Sequence, residues 1–251
     1  MSEAIIIGTG QLGRIFAGGL LRVGCTVIPV NRCDDMAAKA QRHATPELVL
    51  VAVAENDLHT VLADLPENWK SRVALIQNEL LPRDWLVHGM IDPTVISVWF
   101  EKKEGMDAKP LIASPAAGPG AALLCRALTA VDLPCREVAL GDELLFELVR
   151  KNVYILTTNI AGLKTGGTVA GLWAQHETFA RQVAHEVMDI QEVLTGTQLD
   201  RDALIAGMLE AFSGDPAHGC TGRSEPARLT RALKHADEFQ LAVPTLRTLA
   251  R

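Results

Sequence analysis

The hydrophobic pattern changes character once along the chain. In the first part, short apolar runs at 4–7, 26–30, 48–53, 73–77 and 95–99 read as strands, while 11–23 and 57–65 carry apolar residues at helical spacing. Alternation of this kind indicates a parallel, doubly wound sheet. The stretch 113–120 reads as a loop by its Pro and Gly content. Residues 121–130 then read as a helix and 135–140 as a final strand. From Gly141 onward the segments 142–163, 172–195, 200–212 and 226–240 all have helical spacing and no clear strand appears. In the second of these, Trp173, Phe179, Val183, Val187, Ile190 and Val193 recur at helical intervals.

The first strand runs into Gly8-Thr9-Gly10-Gln11-Leu12-Gly13, a G-x-G-x-x-G turn that opens the first helix. In a dinucleotide-binding βα unit the first glycine permits the tight turn, the second lets backbone approach a pyrophosphate, and the third packs helix on strand. The amides of Gln11, Leu12 and Gly13 would then face phosphate charge. The expected fold is therefore α/β, a Rossmann-type parallel sheet over 1–140 followed by an all-helical domain over 141–251. Nucleotide sites lie at the carboxyl ends of such strands, so the helical domain is expected to close the cleft. After the second strand stands Asn31-Arg32, where an NAD-selective protein usually has Asp or Glu. A guanidinium grips a 2′-phosphate that a carboxylate would repel. NADP is thus the expected cofactor, with NAD left open because Asp34 and Asp35 follow closely.

Composition removes several classes. The formal charge is −6 over 251 residues, and no basic run stands out. A nucleic-acid partner is disfavoured, since phosphate neutralisation needs clustered Lys and Arg. No apolar stretch approaches a membrane span. The N-terminus enters a strand directly, so neither a secretory leader nor a membrane partner is expected. Five scattered cysteines without C-x-x-C spacing fit reduced thiols in a cytoplasm. Neither they nor the histidines (His176, His185, His218 and others) have metal-ligand spacing, so no metal is expected.

Candidate chemistry lies on the first helix of the second half. Lys151, Ile155 and Asn159 are spaced by four and follow one helical stripe, about 12 Å long at 1.5 Å per residue. A lysine there can donate a proton to a carbonyl oxygen while hydride reaches its carbon, and can stabilise the developing alkoxide. Read by itself, Lys151 beside Arg150 is more simply a solvated surface charge. Asn159 is equally readable as a polar residue near a helix end, with Gly162 close behind. Ser224-Glu225-Pro226 has the form of a helix N-terminal cap as well as of a site.

Four stretches together resemble the ketopantoate reductase (2-dehydropantoate 2-reductase) family. They are the glycine turn with Arg32; Leu75-Ile76-Gln77-Asn78; the Lys151 helix; and the segment holding Arg223-Ser224-Glu225 and Val243-Pro244. The resemblance implies an NADP-dependent reductase of a small 2-oxo acid or related carbonyl. Lys151 would be general acid, with Glu225 completing the catalytic site. Asn78, Asn159 and Ser224 would contact substrate, and Asn78 the cofactor too. A homodimer is left open. Three departures stand out: Ile155 replaces the first helix asparagine, Glu79 follows Asn78 where the family has a glycine-containing turn, and Ala54 stands where a lysine is common. They motivate an alternative, a non-catalytic nucleotide-binding or regulatory protein on the same scaffold. A third reading is an imine reductase, since Gly166-Gly167-Thr168-Val169-Ala170-Gly171-Leu172 is similar to a motif of the pyrroline-5-carboxylate reductases, although there it lies close to the C-terminus.

Overall fold

The apolar runs of the first half become strands because alternate residues of each find apolar partners on opposite faces of one sheet. The computed structural model describes residues 2–102, 105–221 and 224–250. Its strands are β1 (Glu3–Ile7), β2 (Thr26–Val30), β3 (Leu48–Val51), β4 (Val73–Leu75), β5 (Thr94–Ile96), β6 (Phe100–Glu101), β7 (Lys109–Pro110), β8 (Ser114–Ala117) and β9 (Cys135–Glu137). Strands β6 and β7 pair only with each other; the rest form a sheet in the order β2-β1-β3-β4-β5-β8-β9. All its pairings are parallel except β5 with β8. The strand order reverses at β1, which is where a doubly wound sheet leaves its binding crevice.

The helices of this half are α1 (Gln11–Arg22), α2 (Met36–Arg42), α3 (Leu58–Ala63), α4 (Glu67–Lys70), α5 (Pro82–Leu86) and α6 (Ala121–Thr129). On one face of the sheet, Ala4, Ile6, Leu48, Leu50 and Ile96 pack with Phe16 and Leu20 of α1 and Leu124 and Leu128 of α6. On the other, Ile5, Ile7, Val49, Val51, Leu75 and Val95 pack with Leu58, Leu62, Trp69 and Trp85. A Rossmann-type layered architecture results.

The loop expected at 113–120 is a correction, because Ser114–Ala117 is a buried strand between β5 and β9. Pro115 is tolerated at the end of the β5 ladder: its carbonyl accepts from Ser97 N–H at 3.0 Å, and pairing proper begins at Ala116. Proline survives where no ladder N–H is required of it. The thiols also prove less scattered than the sequence suggested. All five are free, but Cys125 on α6 and Cys135 on β9 lie with their sulfurs 2.6 Å apart.

The chain divides into two units, Met1–Leu148 and Val149–Arg251, with the division inside α7 (Asp142–Thr165). The second unit holds the rest of α7 with α8 (Val169–Thr195), α9 (Arg201–Gly214), α10 (Glu225–Glu238) and α11 (Pro244–Leu249). Thr168 caps α8 by accepting from Gly171 N–H at 3.2 Å, and Asp200 caps α9 by accepting from Ala203 N–H at 3.0 Å. Gly166 and Gly167, both at positive φ, make the turn between α7 and α8, which is where the glycine-rich motif lies. Buried polar contacts tie the helices. Asn152 donates to Gln191 at 2.9 Å, and Glu186 accepts from the Thr245 and Leu246 amides at 2.8 Å each, which seats α11. Among the described residues no helix is long and apolar enough to cross a membrane.

Two adjacent glycines of α1 separate packing from propensity. A Cβ on Gly19 would fall 2.2 Å from the Ala127 carbonyl oxygen of α6, while one on Gly18 would meet nothing within 4 Å. Gly19→Ala is therefore expected to destabilise by about 1–3 kcal/mol through overpacking. Gly18→Ala is expected to be neutral or to stabilise by about 0.5–1 kcal/mol through helix propensity. Urea unfolding of both variants checks this.

Candidate functional site

The glycine turn is built from backbone constraints. Gly8 has φ +94, and a Cβ there would lie 2.7 Å from the Ala52 carbonyl oxygen. A Cβ on Gly13 would come within 2.1 Å of the Gly8 carbonyl oxygen, so helix and strand touch. Over Gly10 a Cβ would meet nothing within 4 Å. The N-terminus of α1 is capped by Gly10 with no side-chain bond. Backbone amides at an open helix start, with room above the middle glycine, fit a pyrophosphate. Thr9 Oγ1 donates to Asn31 Oδ1 at 2.7 Å, joining the turn to the end of β2. Arg14, a residue the sequence reading passed over, donates Nε to the Thr9 carbonyl at 3.0 Å and puts a cation beside the turn.

Beyond β2 the charged groups sort themselves. Asp34 accepts from Asn31 N–H at 2.6 Å and pairs with Lys39 at 3.1 Å. The backbone bond first, and Lys39 next, hold its carboxyl below the usual range. Asp35 caps α2 by accepting from Ala38 N–H at 2.9 Å. Arg32 is 90% exposed and pairs at the surface with Asp57 at 3.0 Å. Such a pair is worth at most about 1 kcal/mol and exchanges readily for a better anion.

After β4, buried Gln77 clasps two strand ends. Its Nε2 donates to the carbonyls of Val51 at 2.8 Å and Val53 at 3.2 Å. No motif in the sequence announces this tie. It carries Asn78, whose Nδ2 donates to Glu55 Oε1 at 3.2 Å. Glu79 has φ +61, so the left-handed turn that the resemblance associates with glycine is kept without glycine. A non-glycine residue there costs about 1 kcal/mol or more. Ala54 stands at the N-cap of a short turn, Glu55–Asp57.

In the second unit, α7 carries Lys151, Ile155 and Asn159 along one stripe. The helix ends at Thr165, three residues past Gly162, so Asn159 stands in its last two turns; Gly162 lets Cys220 approach, a Cβ there falling 2.5 Å from the Cys220 carbonyl oxygen. Asn159 is buried, and its Oδ1 accepts from Arg228 of α10. Its Nδ2 reaches the Cys220 carbonyl and Thr158 Oγ1, each at 3.4 Å. Glu225 stands one turn before Arg228 and is also buried. Burial raises its carboxyl pKa, and Arg228 opposes that rise. Ser224 occupies the N-cap of α10 but makes no side-chain capping bond, while Glu225 is the first helical residue, favourable at a positive helix end. Arg223 lies outside the described residues.

Lys151 is not a solvated surface charge. It keeps some exposed area, yet packing around its ammonium desolvates it, and that burial, with the Arg228 charge second, pushes its pKa down to about 7. Its Nζ lies 5.5 Å from the Tyr154 ring centroid, in reach of a cation–π contact. Its neighbour Arg150 is buried as well, donating to the Gly207 carbonyl at 3.1 and 2.9 Å and pairing with Glu210 at 2.8 Å. Arg228 is the member that the sequence reading missed. Asn159 bonds to it, while Lys151 and Glu225 feel its charge. No group of three or more His, Cys, Asp or Glu among the described residues is placed to hold a metal.

No family model and no curated protein sequence matches the chain. Solved structures resemble it over nearly its whole length. A 2-dehydropantoate 2-reductase from Methylococcus capsulatus superposes with a TM-score of 0.71 at 15% identity, covering 99% of this chain and 94% of that one. A PanE/ApbA family ketopantoate reductase from Ralstonia eutropha gives 0.69 at 15% identity, with coverages of 99% and 96%. A D-mandelate dehydrogenase complexed with NADH gives 0.66 at 14% identity, with coverages of 98% and 96%. At such identities the likeness is one of fold.

Proposed function

We propose that this chain, which has the fold of the 2-dehydropantoate 2-reductases, is a divergent member of that family that reduces a small 2-oxo acid or related carbonyl with NADPH. The observation that carries the reading is Lys151, an ammonium desolvated to a pKa of about 7 under the added charge of Arg228, on the helix that also carries Asn159. A general acid is most effective when its pKa lies near the working pH.

Bound reduced nicotinamide supplies the hydride. Lys151 gives its Nζ proton to the carbonyl oxygen as the carbon is reduced, and its charge stabilises the alkoxide as it forms. Glu225, with a raised pKa, is suited to hydrogen-bond the hydroxyl of the product. Asn78 and Ser224 are assigned to substrate, with Asn78 shared with the coenzyme. The pyrophosphate is assigned to the Gly8–Gly10–Gly13 turn with the amides of Gln11 and Leu12, and the ribose side to Thr9, Asn31 and Arg32. NADP is favoured over NAD because Asp34 and Asp35 are already engaged locally while Arg32 is held only by an exposed pair. A cytoplasmic location accords with five free cysteines. A homodimer is proposed by analogy with a structurally similar chain described as a dimeric ketopantoate reductase from Staphylococcus aureus.

Two outcomes are expected. In an NADPH-oxidation assay against a panel of 2-oxo acids including 2-dehydropantoate, Lys151→Ala lowers kcat by about 10²-fold or more. Its Kd for NADPH, read by fluorescence, stays within a few-fold of wild type. The wild-type rate of reduction falls as pH rises through about 7, because the native lysine loses its proton there. No turnover by the wild type against the whole panel, with NADPH still bound, would favour the non-catalytic reading. Second, Arg32→Ala weakens NADPH about 10-fold or more and leaves NADH unchanged, since only the former presents a 2′-phosphate. Equal weakening of both contradicts the NADP assignment.

A further inference from the structure

We propose that Cys125 and Cys135 form a site of reversible oxidation, at which a peroxide converts the two free thiols into an intramolecular disulfide. The inference is independent of the reductase reading, since neither residue is assigned there to coenzyme or substrate. Of the five cysteines, Cys25 and Cys220 are buried and Cys33 is exposed. Cys125 and Cys135 are each half-buried, open enough for a small oxidant, and their sulfurs lie 2.6 Å apart. A disulfide has an S–S distance of about 2.05 Å, so closing the bond asks for a shift of about 0.5 Å. The fold holds both partners in place. Helix α6 is packed on α1 at the close approach of Ala127 to Gly19, and Cys135 is paired in the sheet with Ser114 of β8.

The two sulfurs differ in character, and the difference assigns their roles. With Cys125 ionised, the Cys135 S–H donates to it, and that bond holds the Cys125 thiol below its ordinary range against burial and the Glu137 charge. The same bond, with burial second, raises the Cys135 thiol. The thiolate is the form that attacks peroxide. Cys125 is therefore the sulfur that reacts first. It takes one oxygen as the peroxide O–O bond breaks, and the other oxygen leaves as hydroxide, which gains a proton to become water. Once Cys125 is a sulfenic acid, its charge no longer holds the Cys135 proton. Cys135 then loses that proton, and its sulfur displaces the hydroxyl group of Cys125 as a second water. Two thiols and one peroxide thus give one disulfide and two waters, and a dithiol reductant reverses the step by exchange. The bond staples an edge of the sheet. Strand β9 stands last in the strand order, beside β8, and Arg136, next to Cys135, pairs with Glu143 and Glu147 of α7. Tied to α6, this strand loses its freedom to peel away.

The test uses the full chain, reduced, freed of reductant, treated with hydrogen peroxide and then alkylated. The expected product is lighter by about 2 Da before alkylation, the mass of the two hydrogens removed. Trypsin cuts after Arg126 and Arg136, so the bond joins the peptide ending at Arg126 to the peptide 127–136, and dithiothreitol separates them. Cys135→Ser is expected to stop at the Cys125 sulfenic acid, which dimedone captures. Cys125→Ser is expected to slow oxidation of Cys135 by about 10-fold or more, because the activated thiolate is gone. Where a variant fails to fold, the wild-type peptide map decides by itself. Two results overturn the proposal: both cysteines still alkylated under conditions that oxidise exposed Cys33, or Cys125 carried on to sulfinic acid while Cys135 stays alkylated. Amide hydrogen exchange over 135–137 is expected to slow in the oxidised form, and unchanged exchange there overturns the stapling role.

Discussion

Lys151 is a desolvated ammonium in the helical unit on which the Arg228 guanidinium also acts, and the chemistry proposed for this chain rests on that desolvation. An ammonium that is both desolvated and beside a guanidinium gives up its proton several units below a free lysine. At neutral pH it is then both a usable acid and, after transfer, a tolerable neutral amine. Had Arg228 been an apolar residue, Lys151 would lose the charge of that guanidinium, and Asn159 would lose the donor that now occupies its carbonyl oxygen. The helix α10 thus does more than cover α7. Through Arg228 it brings a guanidinium to Asn159 on the lysine stripe, and it carries the buried Glu225 carboxyl one turn before.

The nucleotide end is made differently. There, the specific features belong to backbone: a glycine at φ +94, a helix start without a side-chain cap, and a strand and helix so close that any Cβ at Gly13 would collide with the Gly8 carbonyl. Side chains adjust rather than create this part. Thr9 ties the turn to Asn31, and Gln77 ties the ends of β3 and β4 beneath Asn78. A backbone cradle tolerates wide sequence change so long as its few glycines stay, whereas a side-chain cluster changes meaning with each substitution. That difference accords with a chain whose fold stays close to the solved 2-dehydropantoate 2-reductases at about 15% identity.

The same distinction governs what could be read from the sequence. The strands β1 and β3 to β5 were legible because each is an apolar run buried on both sides, β2 by its apolar run at the sheet edge, and α7 to α10 because their apolar positions keep helical spacing over three turns or more. Strand β8 was hidden, since Ser114, Pro115 and two alanines lack strand-forming side chains and are held by what lies on either side. Helix α11 has six residues, too few for a period to show. The glycine turn and the lysine stripe were visible as local spacing. Arg228 was not, because its partner Asn159 is 69 residues away and an arginine on an amphipathic helix reads as a surface charge. The approach of the free thiols of Cys125 and Cys135 and the Gln77 clasp escaped for the same reason: both are contacts made by the fold and carry no motif.

The direct test is the ionisation of Lys151 itself, followed by ¹³C NMR of reductively methylated or ¹³C-lysine-labelled protein, with Lys151→Met used to assign the resonance. One lysine is expected to titrate near 7 and to move toward the ordinary lysine value when Arg228 is replaced by Gln. A Lys151 resonance that titrates with the surface lysines near 10.4, and does not respond to Arg228, would contradict the account.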